Sequence, residues 1–119
     1  MTYEEIDEMV ADIAETIGCG YSYYTNDESQ VMKAPFLLFD LPNRDDVAAD
    51  DSNYVKKQIL NLEYDSTFRD LDTETLIESQ LTTYGLFYSK ESTYIDSENA
   101  YETMYSMQIF LNESNEGGN

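Results

Sequence analysis

The sequence contains no histidine, a single cysteine, Cys19, and only six basic residues among 119. Without an imidazole no Ser-His-Asp triad, histidine general base or histidine metal site can be built, which removes the commonest hydrolytic and zinc chemistries. A lone cysteine has no intrachain partner, so no internal disulfide forms and a reducing compartment fits best. Long apolar runs are also missing: no window approaches the roughly 18 residues that span a bilayer. The start, MTYEEIDEMV, is acidic and amphipathic where a signal peptide is basic and then continuously apolar. The expectation is a soluble, intracellular protein with no membrane contact. The five glycines fall in helix-ending turns and the tail, so there is no GxGxxG and no phosphate loop, and neither CxxC nor HExxH is possible.

What is abundant is negative charge. Twenty-five acidic against six basic side chains give a formal charge of −19. Nucleic-acid binding gains free energy when Lys and Arg displace counterions from phosphates, and six scattered cations cannot do that on such a surface. Direct DNA or RNA binding is therefore not expected, and anionic membranes repel the same surface. Three roles remain for the carboxylates: a solubilising surface, a partner for basic proteins, or a wall that DNA passes without sticking.

The chain falls in the single-domain size range, and eleven Tyr and five Phe in patterned segments supply apolar surface to offset chain entropy. Residues 1–111 are expected to form one domain and 112–119, NESNEGGN, a disordered acidic tail. Thr2 and Glu5 make a capping box, and Ile6, Met9, Val10, Ile13 and Ile17 recur on one helical face as far as Gly18. Asp7, Glu8, Asp12 and Glu15 form its solvated side. The aromatic stretch Tyr21 to Tyr24 and a polar turn, Thr25 to Gln30, lead to a strand from Phe36 to Leu41, which Pro42 closes.

Residues Asn43 to Asn53, NRDDVAADDSN, carry Asp45, Asp46, Asp50 and Asp51 with only Arg44 against them and show no apolar period. This predicts a long exposed loop or extended hairpin arm, the main candidate for a contact surface. From Tyr54 to Tyr64 the period becomes two. A second helix is predicted with Asp72 as cap, Leu71 and Leu76 as a hydrophobic staple, and a buried stripe of Ile77, Leu81 and Tyr84 ending at Gly85. A short strand Leu86 to Ser89, a turn-flanked piece at Tyr94 and Ile95, and a long alternating strand from Tyr101 to Leu111 complete the order. Helix, strands, helix, strands indicates an α+β domain: a mostly antiparallel sheet with two helices on one face. Leu62, Ile77, Leu81 and Tyr105 are its expected core.

No catalytic motif is present, and no cofactor is expected. With 25 acids, carboxylate pairs arise by chance, so a solvated face outweighs acid–base catalysis. The arm lacks the alternate-position acids, central Gly and terminal Glu of a calcium loop, so no metal is assigned to it. Cys19 has nothing basic nearby in sequence to activate its thiol, and Tyr101 and Tyr105 at strand spacing read as core or sheet-face residues rather than as a base-stacking platform.

The stretch from Pro35 to Leu111, about two thirds of the chain, carries a wider pattern: PFLLFDL, then AADDSNYVKKQILNLEYDS, then YGLFYSKESTYIDSENAYETMYSM. It resembles the small tail terminator, or neck and head-to-tail joining, proteins of phages of Gram-positive bacteria. Their "AD-x-x-Y" stretch corresponds, with one extra residue before the tyrosine, to Ala49 through Tyr54, and their "G-[IL]-F-Y-x-K-x-x-x-Y-I" stretch to Gly85, Leu86, Phe87, Tyr88, Lys90, Tyr94 and Ile95. The resemblance implies a sheet with helices packed on it and a subunit of a ring, commonly hexameric. That ring caps the tail tube, docks to head connector proteins and sits in the virion neck after assembly in the host cytoplasm.

No enzymatic activity is implied. Asp45, Asp46, Asp50, Asp51 and Tyr54 are then the expected subunit or pore contacts, with carboxylates that repel DNA phosphates as the genome passes. The alternative is an acidic mimic of nucleic acid that occupies the basic channel of a host nuclease or repressor. Charge and size suit both readings.

Overall fold

The computed structural model describes residues 1–24, 33–48 and 54–112. Helix α1 (Tyr3–Ile17) starts at the expected capping box: Thr2 Oγ1 accepts from the Glu5 N–H at 3.1 Å, and Glu5 Oε1 accepts from the Thr2 N–H at 2.8 Å. Gly18 ends it at φ 73°, a left-handed conformation that strains any residue with a Cβ, and the Cys19 N–H closes back on the Ala14 carbonyl at 3.0 Å.

Five strands form the main sheet: β1 (Gly20–Tyr23), β2 (Phe36–Asp40), β5 (Lys57–Ser66), β6 (Tyr88–Ile95) and β7 (Ala100–Phe110). Between β2 and β5, β3 (Val47–Ala48) and β4 (Tyr54–Val55) make a two-stranded ribbon. The spatial order is β1-β2-β5-β7-β6, with β1 parallel to β2 and the other neighbours antiparallel. β5 and β7 form the spine, in register from Lys57 opposite Phe110 to Ser66 opposite Tyr101. The period of two puts Leu60, Leu62 and Tyr64 of β5 on the same face as Tyr105, Met107 and Ile109 of β7. There they meet Ile6, Met9, Val10 and Ile13 of α1 and Ile77 and Leu81 of helix α2 (Leu71–Thr83). The fold is thus α+β with both helices on one sheet face, and Leu62, Ile77, Leu81 and Tyr105 are fully buried in its core.

Three local expectations are corrected. The cap of α2 is Asp70, not Asp72: Asp70 Oδ1 accepts from the Thr73 N–H at 3.1 Å and Oδ2 from the Thr73 hydroxyl at 2.7 Å. With the helix starting at Leu71, Leu71 and Leu76 face solvent and form no staple, and Tyr84 is exposed while its hydroxyl donates to Asp12 Oδ2 at 3.1 Å. The buried stripe is Glu74, Ile77 and Leu81, so its third member is a carboxylate one turn earlier and not Tyr84. Finally, β6 is one strand of eight residues, joined to β7 by a 3-10 turn at Asp96–Glu98. Its polar middle, Lys90 to Thr93, masked the strand, because an edge strand is held by backbone ladder bonds and needs no apolar alternation.

The polar turn Thr25 to Gln30 lies outside the described residues, as does 113–119 of the tail. Asn112 donates its N–H to the Met1 carbonyl at 3.0 Å.

Candidate functional site

The acidic arm grows out of the β2–β5 hairpin. Pro42 has no N–H and interrupts the ladder, which then resumes: the Ile59 N–H donates to the Asn43 carbonyl at 3.0 Å and the Asp45 N–H to the Lys57 carbonyl at 2.8 Å. Arg44 forms a bridge opposite Gln58, and the β3–β4 ribbon continues outward. Gln58 locks the base. Its side chain is buried; Nε2 donates to the Asn43 and Ile59 carbonyls, both at 3.0 Å, and Oε1 accepts from the Tyr3 hydroxyl at 2.7 Å. One amide thereby ties the arm to the first turn of α1. Sequence reasoning missed Gln58, because in a period-two strand it reads only as a polar residue.

Asp46 pairs with Arg44 through two hydrogen bonds, Nε to Oδ1 at 2.8 Å and Nη2 to Oδ2 at 2.6 Å, and also accepts from the Lys57 N–H at 3.3 Å. The Arg44 guanidinium holds the Asp46 carboxyl below its ordinary range, and Arg44 itself is shifted upward by the same bonds. Asp45 lies 3.8 Å from Lys57 Nζ. The structure therefore gathers Asp45 and Asp46 at the base of the arm with two cations against them, where the sequence showed one. Asp50 and Asp51 lie outside the described residues. Tyr54 pairs through its backbone with Ala48, and its side chain is outside the description.

A second surface lies where the sheet edge is stepped. β5 follows β7 to Phe110, whereas β6 reaches only Tyr88 opposite Met107, so Gln108 to Phe110 have no β6 partner. The Met1 amino group donates to the Phe110 carbonyl at 2.9 Å. Around this step is a hollow whose lining includes Met1, Leu86, Phe87, Tyr88, Met107 and Phe110. Phe87 is 93% exposed and Phe110 57%. Such aromatic exposure beside an unpaired strand end suits an added strand from another chain.

Two further cations, Arg69 and Lys90, are occupied within the fold. Arg69 donates to both carboxylate oxygens of buried Glu74, at 2.9 and 3.3 Å, and Lys90 Nζ lies 2.8 Å from Glu74 and 2.7 Å from Glu78. The Tyr105 hydroxyl donates to Glu78 at 2.8 Å. Burial opposes the charge on Lys90, but the hydrogen bonds it donates to the two carboxylates outweigh it and raise its pKa. This network binds α2 to β6 and β7. Lys90→Met should destabilise the protein by about 3 kcal/mol, the low end for breaking a buried pair, because Arg69 still reaches Glu74 and water reaches Lys90. Urea unfolding measures it, and a loss under 1 kcal/mol would show Glu74 to be satisfied by Arg69 alone.

The face of the sheet away from the helices carries a feature that sequence reasoning did not find. Carboxylate oxygens of Glu63, Asp65 and Glu102 all lie within 4.8 Å of one another. Asp65 is buried, and its Oδ1 has no hydrogen-bond partner. Burial pushes its carboxyl well up, with Glu63, Glu102 and Glu98 adding to the shift. Glu63 and Asp65 share a strand face by their spacing, but only the β5–β7 register brings Glu102 opposite Asp65. Cys19 is half-buried and its thiol is raised by that burial, so it is no activated nucleophile.

The sequence matches no known protein-family pattern and no curated protein. Among solved structures, a chain from the virion of a native gene transfer agent (GTA) particle shares the fold with a TM-score of 0.55. The two are 10% identical, and the match covers 87% of this chain and 88% of that one. At that identity the likeness is one of fold.

Proposed function

We propose that this chain is a non-enzymatic structural subunit of a virion, and specifically the tail terminator or head-to-tail joining subunit of a long-tailed phage or phage-like particle. One observation carries the reading: the fold matches, nearly end to end, a chain from a virion particle. The subunits close into a ring, a hexamer in this proposal, on the end of the tail tube and below the head connector proteins, in a particle assembled in the host cytoplasm. Ring closure needs two different surfaces of each subunit to meet. The stepped edge at Phe87 and Phe110 supplies one, and the arm bearing Asp45, Asp46, Asp50, Asp51 and Tyr54 supplies the other or lines the pore. Neither nucleic acid nor membrane is a binding partner.

Mixing the purified chain with tail tubes should give end-capped tubes with a ring visible by electron microscopy, and Phe87→Glu with Phe110→Glu should abolish the caps. Replacing Asp45, Asp46, Asp50 and Asp51 by Asn should leave the protein folded and alter capping or DNA passage. Correctly sized tails and a normal yield of infectious particles after deletion of the gene would end the reading.

Duplex DNA should not bind at physiological salt. Four of the six basic side chains, Arg44, Lys57, Arg69 and Lys90, already sit on the protein's own carboxylates, leaving little to displace counterions. A salt-sensitive gel shift at micromolar protein would contradict this.

The mimic reading is favoured by one feature: Glu4, Glu8 and Asp12 stand on successive turns of the exposed side of α1, a regular stripe of carboxylates. Stoichiometric inhibition of a DNA-binding nuclease by the isolated protein would support it over the terminator.

A further inference from the structure

We propose that Glu63, Asp65 and Glu102 bind one divalent cation, calcium in preference to magnesium, on the open face of the sheet. The ligand set is defined by strand register. Asp65 on β5 lies directly opposite Glu102 on β7, and Glu63 is two residues from Asp65 on the same face. Like charges directly opposite on neighbouring strands repel, and nothing in register relieves them. The other neighbour of Asp65 is Phe36, those of Glu63 are Leu38 and Met104, and that of Glu102 is Thr93. Among the described residues no ion pair reaches the cluster, and Glu98 adds a fourth negative charge nearby.

Acidic clusters are common on so acidic a protein, and what sets this one apart is Asp65. It is 4% exposed, and its Oδ1 is buried without any hydrogen-bond partner. An ionised carboxylate withdrawn from water without a partner is costly, so in the absence of an ion this group keeps its proton. Buried charges are normally paired or bound to metal, and binding a metal releases the proton of its carboxyl ligand. A cation supplies the missing partner. The remaining coordination is open to water, because Glu63 and Glu102 are only half-buried.

The donors and their spacing select the ion. All three are hard carboxylate oxygens, which suit calcium and magnesium rather than softer metals, and Cys19 packs against the core on the helix side. Calcium–oxygen bonds of about 2.4 Å place opposite ligands about 4.8 Å apart, whereas magnesium at about 2.1 Å needs about 4.2 Å and near-ideal octahedral geometry. Oxygens no more than 4.8 Å apart lie within the span of a calcium coordination sphere, and calcium's flexible geometry, unlike magnesium's near-ideal octahedron, can be met by side chains fixed on paired strands. A bound ion would staple β5 to β7 at the spine of the sheet.

The test is calorimetric titration of the full chain with calcium chloride and with magnesium chloride, in chelator-treated buffer at about 0.15 M KCl, where distant surface charges are largely screened. The expected result is one saturable calcium site with a dissociation constant of roughly 10⁻⁴ to 10⁻³ M, weaker magnesium binding, and a melting temperature raised by calcium. E63Q/E102Q should weaken calcium by about tenfold or more, since even indirect changes around a metal cost about that much. The control E4Q/E8Q removes the same number of charges from α1 and should leave calcium affinity unchanged. Should E63Q/E102Q fail to fold by circular dichroism, D65N, which keeps the side-chain size, replaces it with the same expected loss. Unsaturable calcium binding, or equal weakening in the sheet and helix variants, would overturn the site in favour of a diffuse counterion cloud.

Discussion

Truncating Leu81 to Ala should cost the fold about 2 to 5 kcal/mol, the range for removing a buried leucine whose cavity cannot fully collapse. Leu81 is fully buried on α2 in the core shared with α1 and the sheet, and the Leu86 N–H closes on its carbonyl at 3.0 Å just beyond the helix. Domains have only about 5 to 15 kcal/mol in total, so the urea midpoint should fall markedly with little change in slope. Leu76→Ala on the same helix, at an exposed position, should stay within about 0.5 kcal/mol. Equal effects at the two positions would mean that the helix packs through a different face.

The second large effect is on pH dependence. In the presence of a chelator, the protein should lose stability as pH rises from about 4 toward about 9. Burial, reinforced by Glu63, Glu102 and Glu98, raises the Asp65 carboxyl to about 9 in the folded state, against about 3.9 in an unfolded chain. The folded state therefore holds this proton more tightly. The stabilising contribution is complete below pH 4, declines through the intervening window, and is lost above the folded value. Asp65→Asn removes the titration while keeping the side-chain size, so its stability should exceed that of the wild type by a growing margin toward alkaline pH. Parallel pH profiles for the two proteins, measured by urea unfolding between pH 5 and 9, would show Asp65 to be solvated.

The class of fold was legible because its signals are local. In α1 the cap, the apolar stripe and the stopping glycine lie within one stretch of 17 residues, Thr2 to Gly18, and each acts through backbone bonds a few residues long. The alternation of β7 was equally plain, since a strand buried on one face must repeat every second residue. The exposure of Asn43 to Val47 was readable from the charge and lack of period of that stretch. The same kind of evidence misplaced the cap of α2, where Asp70 and Asp72 are both competent and the backbone conformation entering the helix chooses between them.

Features that depend on partners distant in the chain were out of reach. Glu74 looks like a surface residue of α2 and is buried because Arg69 and Lys90 of β6 converge on it. The middle of β6 has no apolar pattern because an edge strand is held by its neighbour's backbone. Gln58 becomes the lock of the arm only when Tyr3, 55 residues earlier, is brought to it. The sequence by itself determined an acidic α+β domain without histidine chemistry and with an exposed arm, since composition and short-range periodicity suffice for that. Tertiary structure alone decided the stepped aromatic edge and the Glu63, Asp65 and Glu102 cluster, because strand register and strand length, set by packing across the whole sheet, place side chains next to one another that no local pattern connects.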